Sequence, residues 1–255
     1  MTGGTEDPPF DAGKAFDAGK VFDEDYLHFH RRELDERADA ETDLIRDLLD
    51  APAGAEVLDL ACGHGRIANR LAERGYRVTG LDESASFLGH AREDARARGV
   101  EVGYATADMR ELPHGGEFDA VVNWFTSFGY FDDPGNRAVL AEVFRVLRPG
   151  GRFLLELNNY AWILRHYRDA LVVEQDGDLL VDRNHLDPLT NQQRTERTLI
   201  RDGRVRNTRF RVRMLTFPEI RDWLLDAGFV RVRGLGEDGA ALTAEHRRMI
   251  VLAQR

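Results

Sequence analysis

Three carboxylates and a glycine pair in the front half of the chain have the types and spacing to hold a small polar ligand. Asp59 stands four positions before Gly63 in Val57-Leu-Asp-Leu-Ala-Cys-Gly-His-Gly-Arg66, and Gly65 follows. Glycines at such a turn let a ligand approach the backbone at a helix N-terminus. Gly63-x-Gly65-x-x-Ala68 formally fits a dinucleotide fingerprint, with Asp82 at the expected distance. Asp59 separates the two readings, because a carboxylate at the end of the preceding strand repels a pyrophosphate and accepts hydrogen bonds from an ammonium group. A ligand with an amino acid end and a ribose, and no phosphate, suits this loop better. Asp82, closing Gly80-Leu-Asp, can accept both ribose hydroxyls of an adenosine. Asp108, in Ala107-Asp-Met109, can accept the adenine amino group, while Met109 offers a backbone amide and an apolar flank.

A second group of residues suits an acceptor molecule. Asn123-Trp-Phe-Thr-Ser-Phe-Gly-Tyr-Phe131 packs five aromatics into nine residues. They cannot all be core if the segment leaves the sheet as a loop, so Trp124, Phe125, Ser127, Phe128 and Tyr130 are expected to line a partly apolar substrate wall. His166 and His185, both later in the chain, are the candidate catalytic bases, since histidine titrates near neutrality. Tyr26 and His30, four apart on a helical segment, share a face that can close over the ligand.

These residues need a scaffold. The chain has 255 residues, 42% hydrophobic and 31% charged, enough to bury one sizeable core. Strands at Val57–Ala61, Tyr76–Leu81, Val100–Ala105, Phe118–Asn123 and Arg152–Leu157 alternate with helices at Ile67–Arg74, Ser84–Arg98 and Asn136–Leu147. That alternation implies βαβ units and a doubly wound, mostly parallel α/β sheet of Rossmann-like type. β-type alternation with turn signals at Asp176-Gly177 and Asp202-Gly203 predicts an antiparallel insert. A helix over Phe217–Ala227 and two final strands, Phe229–Gly234 and Arg248–Ala253, then complete the sheet. The organisation expected is a flexible leader and N-terminal cap helices over 1–50, a ligand-binding core over 51–160, an inserted antiparallel β lid over 161–215 and the closing elements over 216–255.

Together, Leu58-Asp-Leu-Ala-Cys-Gly-His-Gly-Arg, Gly80-Leu-Asp-Glu-Ser, Ala107-Asp-Met-Arg, Phe118-Asp-Ala-Val-Val-Asn and Leu147-Arg-Pro-Gly-Gly resemble the class I S-adenosylmethionine-dependent methyltransferases, in particular the small-molecule branch. The resemblance covers about Val57–Leu157 closely. It implies a seven-stranded sheet with an antiparallel last strand. It also implies S-adenosyl-L-methionine as cofactor, leaving S-adenosyl-L-homocysteine, with Asp59, Gly63 and Gly65 at the methionine end, Asp82 at the ribose, and Asp108 with Met109 at the adenine. Ala61, Glu83, Phe87 and Asn123 fall beside these positions and complete the expected cofactor-contacting set, with Tyr26 and His30 closing over it. His64 departs from the family's usual small polar residue and is read as a solvated loop residue. The implied reaction is in-line methyl displacement onto O or N of a metabolite. It rests mainly on positioning, and a base is needed chiefly for a hydroxyl acceptor.

Composition limits the partners. A formal charge of −10 argues against wrapping nucleic acid or anionic lipid, and the single cysteine, Cys62, allows no internal disulfide and no thiolate-rich metal site. No metal is expected, no stretch suffices to span a bilayer, and a cytoplasmic monomer or homodimer acting on a small-molecule acceptor is the expectation. The run from Arg194 to Arg213 holds eight arginines. It makes an RNA or protein methyltransferase the alternative, although no stacking aromatics accompany it as single-strand platforms require. Asn123-Trp-Phe-Thr also lacks the paired prolines expected of a base-flipping amino-methylase. A nicotinamide-dependent dehydrogenase is the third reading, opposed by Asp59 and by the lack of a hydride-relay pair.

Overall fold

The computed structural model describes residues 21–255; most of the expected leader lies outside the described residues. Chain order from Asp23 onward is a 26-residue helix α1 (Glu24–Leu49), then β1 (Glu56–Leu60), α2 (Ala68–Glu73), β2 (Arg77–Asp82), α3 (Ala85–Arg98), β3 (Val102–Thr106), β4 (Phe118–Asn123), α4 (Asp133–Val146) and β5 (Leu147–Asn158). After a short α5 (Tyr160–Arg165) come β6 (Ala170–Gln175), β7 (Asp178–Asp187), β8 (Gln192–Arg201) and β9 (Arg204–Arg213), followed by α6 (Phe217–Asp226), β10 (Arg231–Gly236) and β11 (Arg248–Gln254).

Seven strands form one sheet in the order β10-β11-β5-β4-β1-β2-β3. β1, β2, β3, β4 and β5 are parallel, and β11 runs antiparallel to both β5 and β10. The order reverses between β1 and β4, so ligands are expected at the crevice outside their carboxyl ends. Both sheet faces are covered. Leu58, Val121 and Phe153 pack toward α4 and α6 through Val143 and Trp223, while Val57, Val122 and Ile250 pack toward α1 and α2 through Ile45 and Leu71. The near-continuous apolar runs of β1 and β4 follow from burial on both faces.

The insert forms a separate four-stranded antiparallel sheet, β6-β7-β8-β9. Asp176 and Asp202 adopt positive φ of 53° and 51°, each followed by a left-handed glycine, the backbone that Asp-Gly hairpin turns require. Its inner face meets α1, where Phe29 packs against Leu180 and Leu199. One helix therefore touches both layers, because its buried positions run from Leu27 to Leu49, all apolar but Thr42.

Three boundaries differ from the sequence reading. The chain is already structured at Asp23, within the segment expected as leader and cap: Asp23 caps α1, its side chain accepting from the Asp25 and Tyr26 N–H groups at 3.1 Å. Helix α4 starts three residues earlier than expected, since Asp132 caps it and Pro134 suits its first turn. Leu147-Arg-Pro-Gly-Gly is drawn into β5 through a bulge opposite Phe118 and Ala120 instead of forming a free turn.

Candidate functional site

At the carboxyl end of β1 the chain enters the left-handed region three times in five residues, at Ala61 (φ 58°), Gly63 (57°) and Gly65 (79°). A Cβ on Gly65 would lie 2.5 Å from the Tyr104 hydroxyl and 2.7 Å from Ala91, so both the turn and the close packing of α3 and β3 require glycine. Asp82 locks the loop to β2. Its Oδ2 accepts the Gly63 N–H and its Oδ1 the Ser84 N–H, each at 2.8 Å. Burial raises the Asp82 carboxyl above its ordinary value against those amides.

The loop borders a cavity of about 1020 Å³, including its open mouth. One flank carries Asp82, Glu83, Phe87, Ala107, Asp108 and Met109. Asp108 is held by the Arg110 guanidinium, at 2.5 to 3.1 Å, which keeps it below the usual carboxylate range. An adenine amino group would therefore share this carboxylate with Arg110.

Among the cavity-lining residues, Asp59, His64 and Arg66 each have a buried polar atom without a hydrogen-bond partner among the described residues, and those of Asp59 and Arg66 are of opposite character. Asp59 is 2% exposed and its Oδ2 is buried without a hydrogen-bond partner among the described residues. Burial first, with a further push from Asp82 and an opposing pull from Arg66, brings its carboxyl up to about 7. Arg66 is also buried; one of its nitrogens donates to Glu41 of α1, and Nη2 has no partner among the described residues. Glu41 further accepts from Arg37 at 2.6 Å and from the Trp124 indole at 3.2 Å. One unmet acceptor and one unmet donor, both lining the same cavity, fit the ammonium and carboxylate of an α-amino acid. Sequence reading missed Arg66 and Glu41. Arg66 stood in the quoted motif, but only α1, distant in sequence, shows which of its nitrogens is left over.

Much of the remaining lining is aromatic, and Phe22, Tyr26, Phe125, Ser127, Tyr130 and Phe131 belong to it. Phe125 and Thr126 take consecutive positive φ angles of 62° and 56°, conformations that cost on the order of 1–3 kcal/mol each and persist only where surroundings enforce them. The enforcing groups are Glu156 and Arg248. The Glu156 carboxylate accepts the Phe125 N–H at 2.7 Å and is paired to Arg248, while Arg248 Nη2 donates to Thr126 Oγ1 at 2.5 Å. Arg37, Arg66 and Arg248 place their guanidinium carbons 5.1, 5.3 and 5.2 Å from the Phe125 ring centre, fixing the ring from several sides.

Several expected site residues lie elsewhere. Phe128 is 1% exposed and sits in the core with Val139 and Leu140, not on the cavity wall. Asn123 is buried beneath the floor, where its Nδ2 donates to the Leu60 carbonyl at 2.8 Å and ties β4 to β1. His30 does not line the cavity but stacks on Tyr26, ring centres 4.6 Å apart, and burial with the nearby Arg197 brings it down to about 4. His166 and His185 are exposed and outside the cavity lining. His166 stacks on Trp162 at 4.3 Å, and alternation along β7 turns His185 away from the inner face that carries Leu180. His64, read as solvated, is instead buried and lines the cavity, 3.5 Å from Asp35 of α1.

A seven-stranded sheet with a reversed last strand, and a cavity at its switch point lined by Asp59, Asp82 and Asp108, define a doubly wound α/β fold with a cleft for a polar ligand. Residues 57–151 match the family model for a methyltransferase domain. A demethylmenaquinone methyltransferase from Thermus thermophilus is 41% identical over 112 residues, 43% of this chain and 50% of that protein. The match spans about half the length of such relatives. An S-adenosylmethionine-dependent methyltransferase from Clostridium acetobutylicum superposes with a TM-score of 0.76 at 18% identity, over 90% of this chain and 95% of that one. An amino pentose methyltransferase from Micromonospora echinaspora, solved with S-adenosylmethionine bound, gives 0.63 at 24% identity over 86% and 91%. Over residues 57–151 the chain thus matches a methyltransferase domain, and its fold is shared with S-adenosylmethionine-dependent methyltransferases of known structure.

Proposed function

We propose that the protein transfers a methyl group from S-adenosylmethionine to O or N of a small molecule held between the glycine loop and the lid. The observation that carries this reading is the single cavity that joins the orphaned Asp59 and Arg66 atoms, Asp82 and the aromatic lining. Asp59 would take the ammonium, Arg66 the carboxylate, Asp82 the ribose, and Asp108 with Met109 the adenine. When bound, the cofactor supplies a methyl group on a cationic sulfur. The chain's own contribution is placement: the clamped Phe125 ring and the Trp124 indole give the acceptor a rigid wall, and Phe22 with Tyr26 of the α1 region narrows the mouth against water.

The imidazole that lines the cavity, His64, sits in the glycine loop 3.5 Å from Asp35 rather than among the acceptor-side aromatics, and His30, stacked on Tyr26 outside the lining, is uncharged at neutral pH. An acceptor already partly neutral, such as an amine, or one acidic enough to ionise unaided, fits this better than an unactivated alcohol. The demethylmenaquinone and amino pentose relatives both carry small-molecule names. The Arg-rich segment does not favour the RNA reading, since Arg197, Arg201, Arg206, Arg209 and Arg213 are all ion-paired within the fold. We place the protein in the cytoplasm as a monomer or homodimer, in keeping with one buried, unpaired cysteine. No helix of the described residues is long and apolar enough to cross a membrane.

Titration calorimetry with S-adenosylhomocysteine tests the reading. Binding with a stoichiometry near one per chain is expected, and no binding would overturn it.

A further inference from the structure

One carboxylate of α1 holds groups on both sides of the cavity wall without belonging to that wall. Glu41 is mostly buried, its side chain 17% exposed. Its Oε2 accepts from Arg66 Nη1 at 2.5 Å and from the Trp124 indole N–H at 3.2 Å, and its Oε1 accepts from Arg37 Nη2 at 2.6 Å and Nε at 2.9 Å. Arg66 and Trp124 line the cavity, as does Phe125, beside whose ring the Arg37 and Arg66 guanidiniums both lie. Burial opposes the Glu41 charge, yet those two guanidiniums hold its carboxyl below the ordinary value. The donors come from three separate pieces of chain: α1 itself, the loop after β1 and the loop after β4.

We infer that Glu41 is a positioning residue: it aims Arg66 at the amino acid end of the cofactor and carries the occupancy of that end to the Trp124–Phe125 wall. This rests on the methyltransferase reading and adds to it a link between the two ligands. With Nη1 spent on Glu41 and the guanidinium resting beside Phe125, Arg66 is oriented from two sides, and Nη2 is left without a partner among the described residues. A charge-assisted hydrogen bond of this kind fixes direction as well as distance. The same carboxylate oxygen holds the indole. A ligand carboxylate that draws on Arg66 therefore competes with Oε2 for one guanidinium charge, and hydrogen bonds that share an acceptor polarise one another. Trp124 feels that competition, although the cofactor's amino acid end is recognised by Arg66 and not by the indole.

The test compares S-adenosylhomocysteine with methylthioadenosine, which keeps the nucleoside and the thioether and lacks the amino acid end, on the full chain. Calorimetry is expected to show at least a tenfold preference for S-adenosylhomocysteine in the wild type. In Glu41→Gln, which keeps the side chain's size and removes its charge, that preference falls to threefold or less while methylthioadenosine affinity stays within twofold. Tryptophan emission reads the second half of the inference. Saturating S-adenosylhomocysteine shifts it, saturating methylthioadenosine does not, and the shift is lost in Trp124→Phe and in Glu41→Gln. A Glu41→Gln variant that loses both ligands alike marks a merely structural glutamate and overturns the inference. A wild type without the preference, a preference that survives in Glu41→Gln, or an emission shift common to both ligands overturns it too, and each leaves the methyltransferase reading standing. If neither ligand binds the wild type, that reading fails instead. Should Glu41→Gln not fold, the emission of wild type and Trp124→Phe with the two ligands decides alone.

Discussion

The glycine-loop core and the inserted lid handle polar groups in opposite ways. Around the loop, buried atoms are left unmet, Asp59 Oδ2 and Arg66 Nη2 above all, and backbone geometry holds them in place. In the lid, charges are matched inside the protein: Arg206 to Asp23 and Asp25, Arg201 to Asp25 and Asp178. A site built to receive a ligand leaves its partners out, whereas a cover built to stay shut supplies them. Even there, Arg197 Nη1 and Arg206 Nε stay unmet among the described residues, although both guanidiniums are ion-paired.

Substitutions in the core should therefore act on ligand affinity far more than those in the lid. The largest effect is expected at Asp82. Its replacement by alanine removes the anchors of the Gly63 and Ser84 amides together with the carboxylate proposed for the ribose. S-adenosylhomocysteine affinity should drop about 100-fold, roughly 2.7 kcal/mol, and calorimetry showing less than a threefold loss would erase the contrast.

Next comes pH. The unfolded Asp59 carboxyl releases its proton near 3.8, while burial holds it until about 7 in the fold. Between those values the folded state keeps a proton that the unfolded chain loses, so Asp59 makes ligand-free stability fall as pH rises toward 7. An ammonium donor needs the ionised carboxylate, so affinity should instead rise across that range, by about tenfold from pH 6 to pH 8. Thermal shifts with S-adenosylhomocysteine should grow accordingly, and Asp59→Asn should flatten the profile. An unchanged profile in the variant would assign the titration elsewhere.

The lid should respond to salt. Asp23→Asn with Asp25→Asn opens the contacts between α1 and the lid, each worth up to about 1 kcal/mol after solvent screening. A Tm lower by a few degrees and cofactor release about threefold faster are expected, with the wild type approaching the variant as salt rises. Stopped-flow release rates that do not depend on salt would break this part of the comparison. The smallest effect belongs to Arg209, whose pairing with Glu196 is largely solvent-exposed. Arg209→Gln should change stability by less than about 0.5 kcal/mol and leave filter retention of RNA as low as in the wild type.

The same contrast explains what the sequence reveals. Gly63, Gly65 and Asp82 are legible because a left-handed turn and a strand end demand particular residue types at short spacing. Doubly wound order and the Asp-Gly hairpins are legible for the same reason. Arg206 with Asp23, 183 residues apart, leaves no local trace, and nothing in Arg194–Arg213 distinguishes Arg197 from an outward-facing arginine until β7 and β8 are paired. His64 and Phe128 fail in mirror image. One is buried by α1 closing over the loop and the other by α4 packing under it, and neither helix's position is written near the residue concerned. His166 and His185 are candidates by chemical type and by their place after the fifth strand, and strand alternation and an exposed helix end remove them from the cavity.

The clamped pair Phe125–Thr126 has a consequence for changing what this protein accepts. Because Glu156 and Arg248 dictate the backbone there, the acceptor wall is a fixed mount carrying an exchangeable face. Variation of the side chain at 125 should retune acceptor size while the mount holds. Insertions, or changes at 156 and 248, would release the strain and move the whole wall. Directed evolution of acceptor range would then accumulate at 125 and its aromatic neighbours and leave the mount untouched.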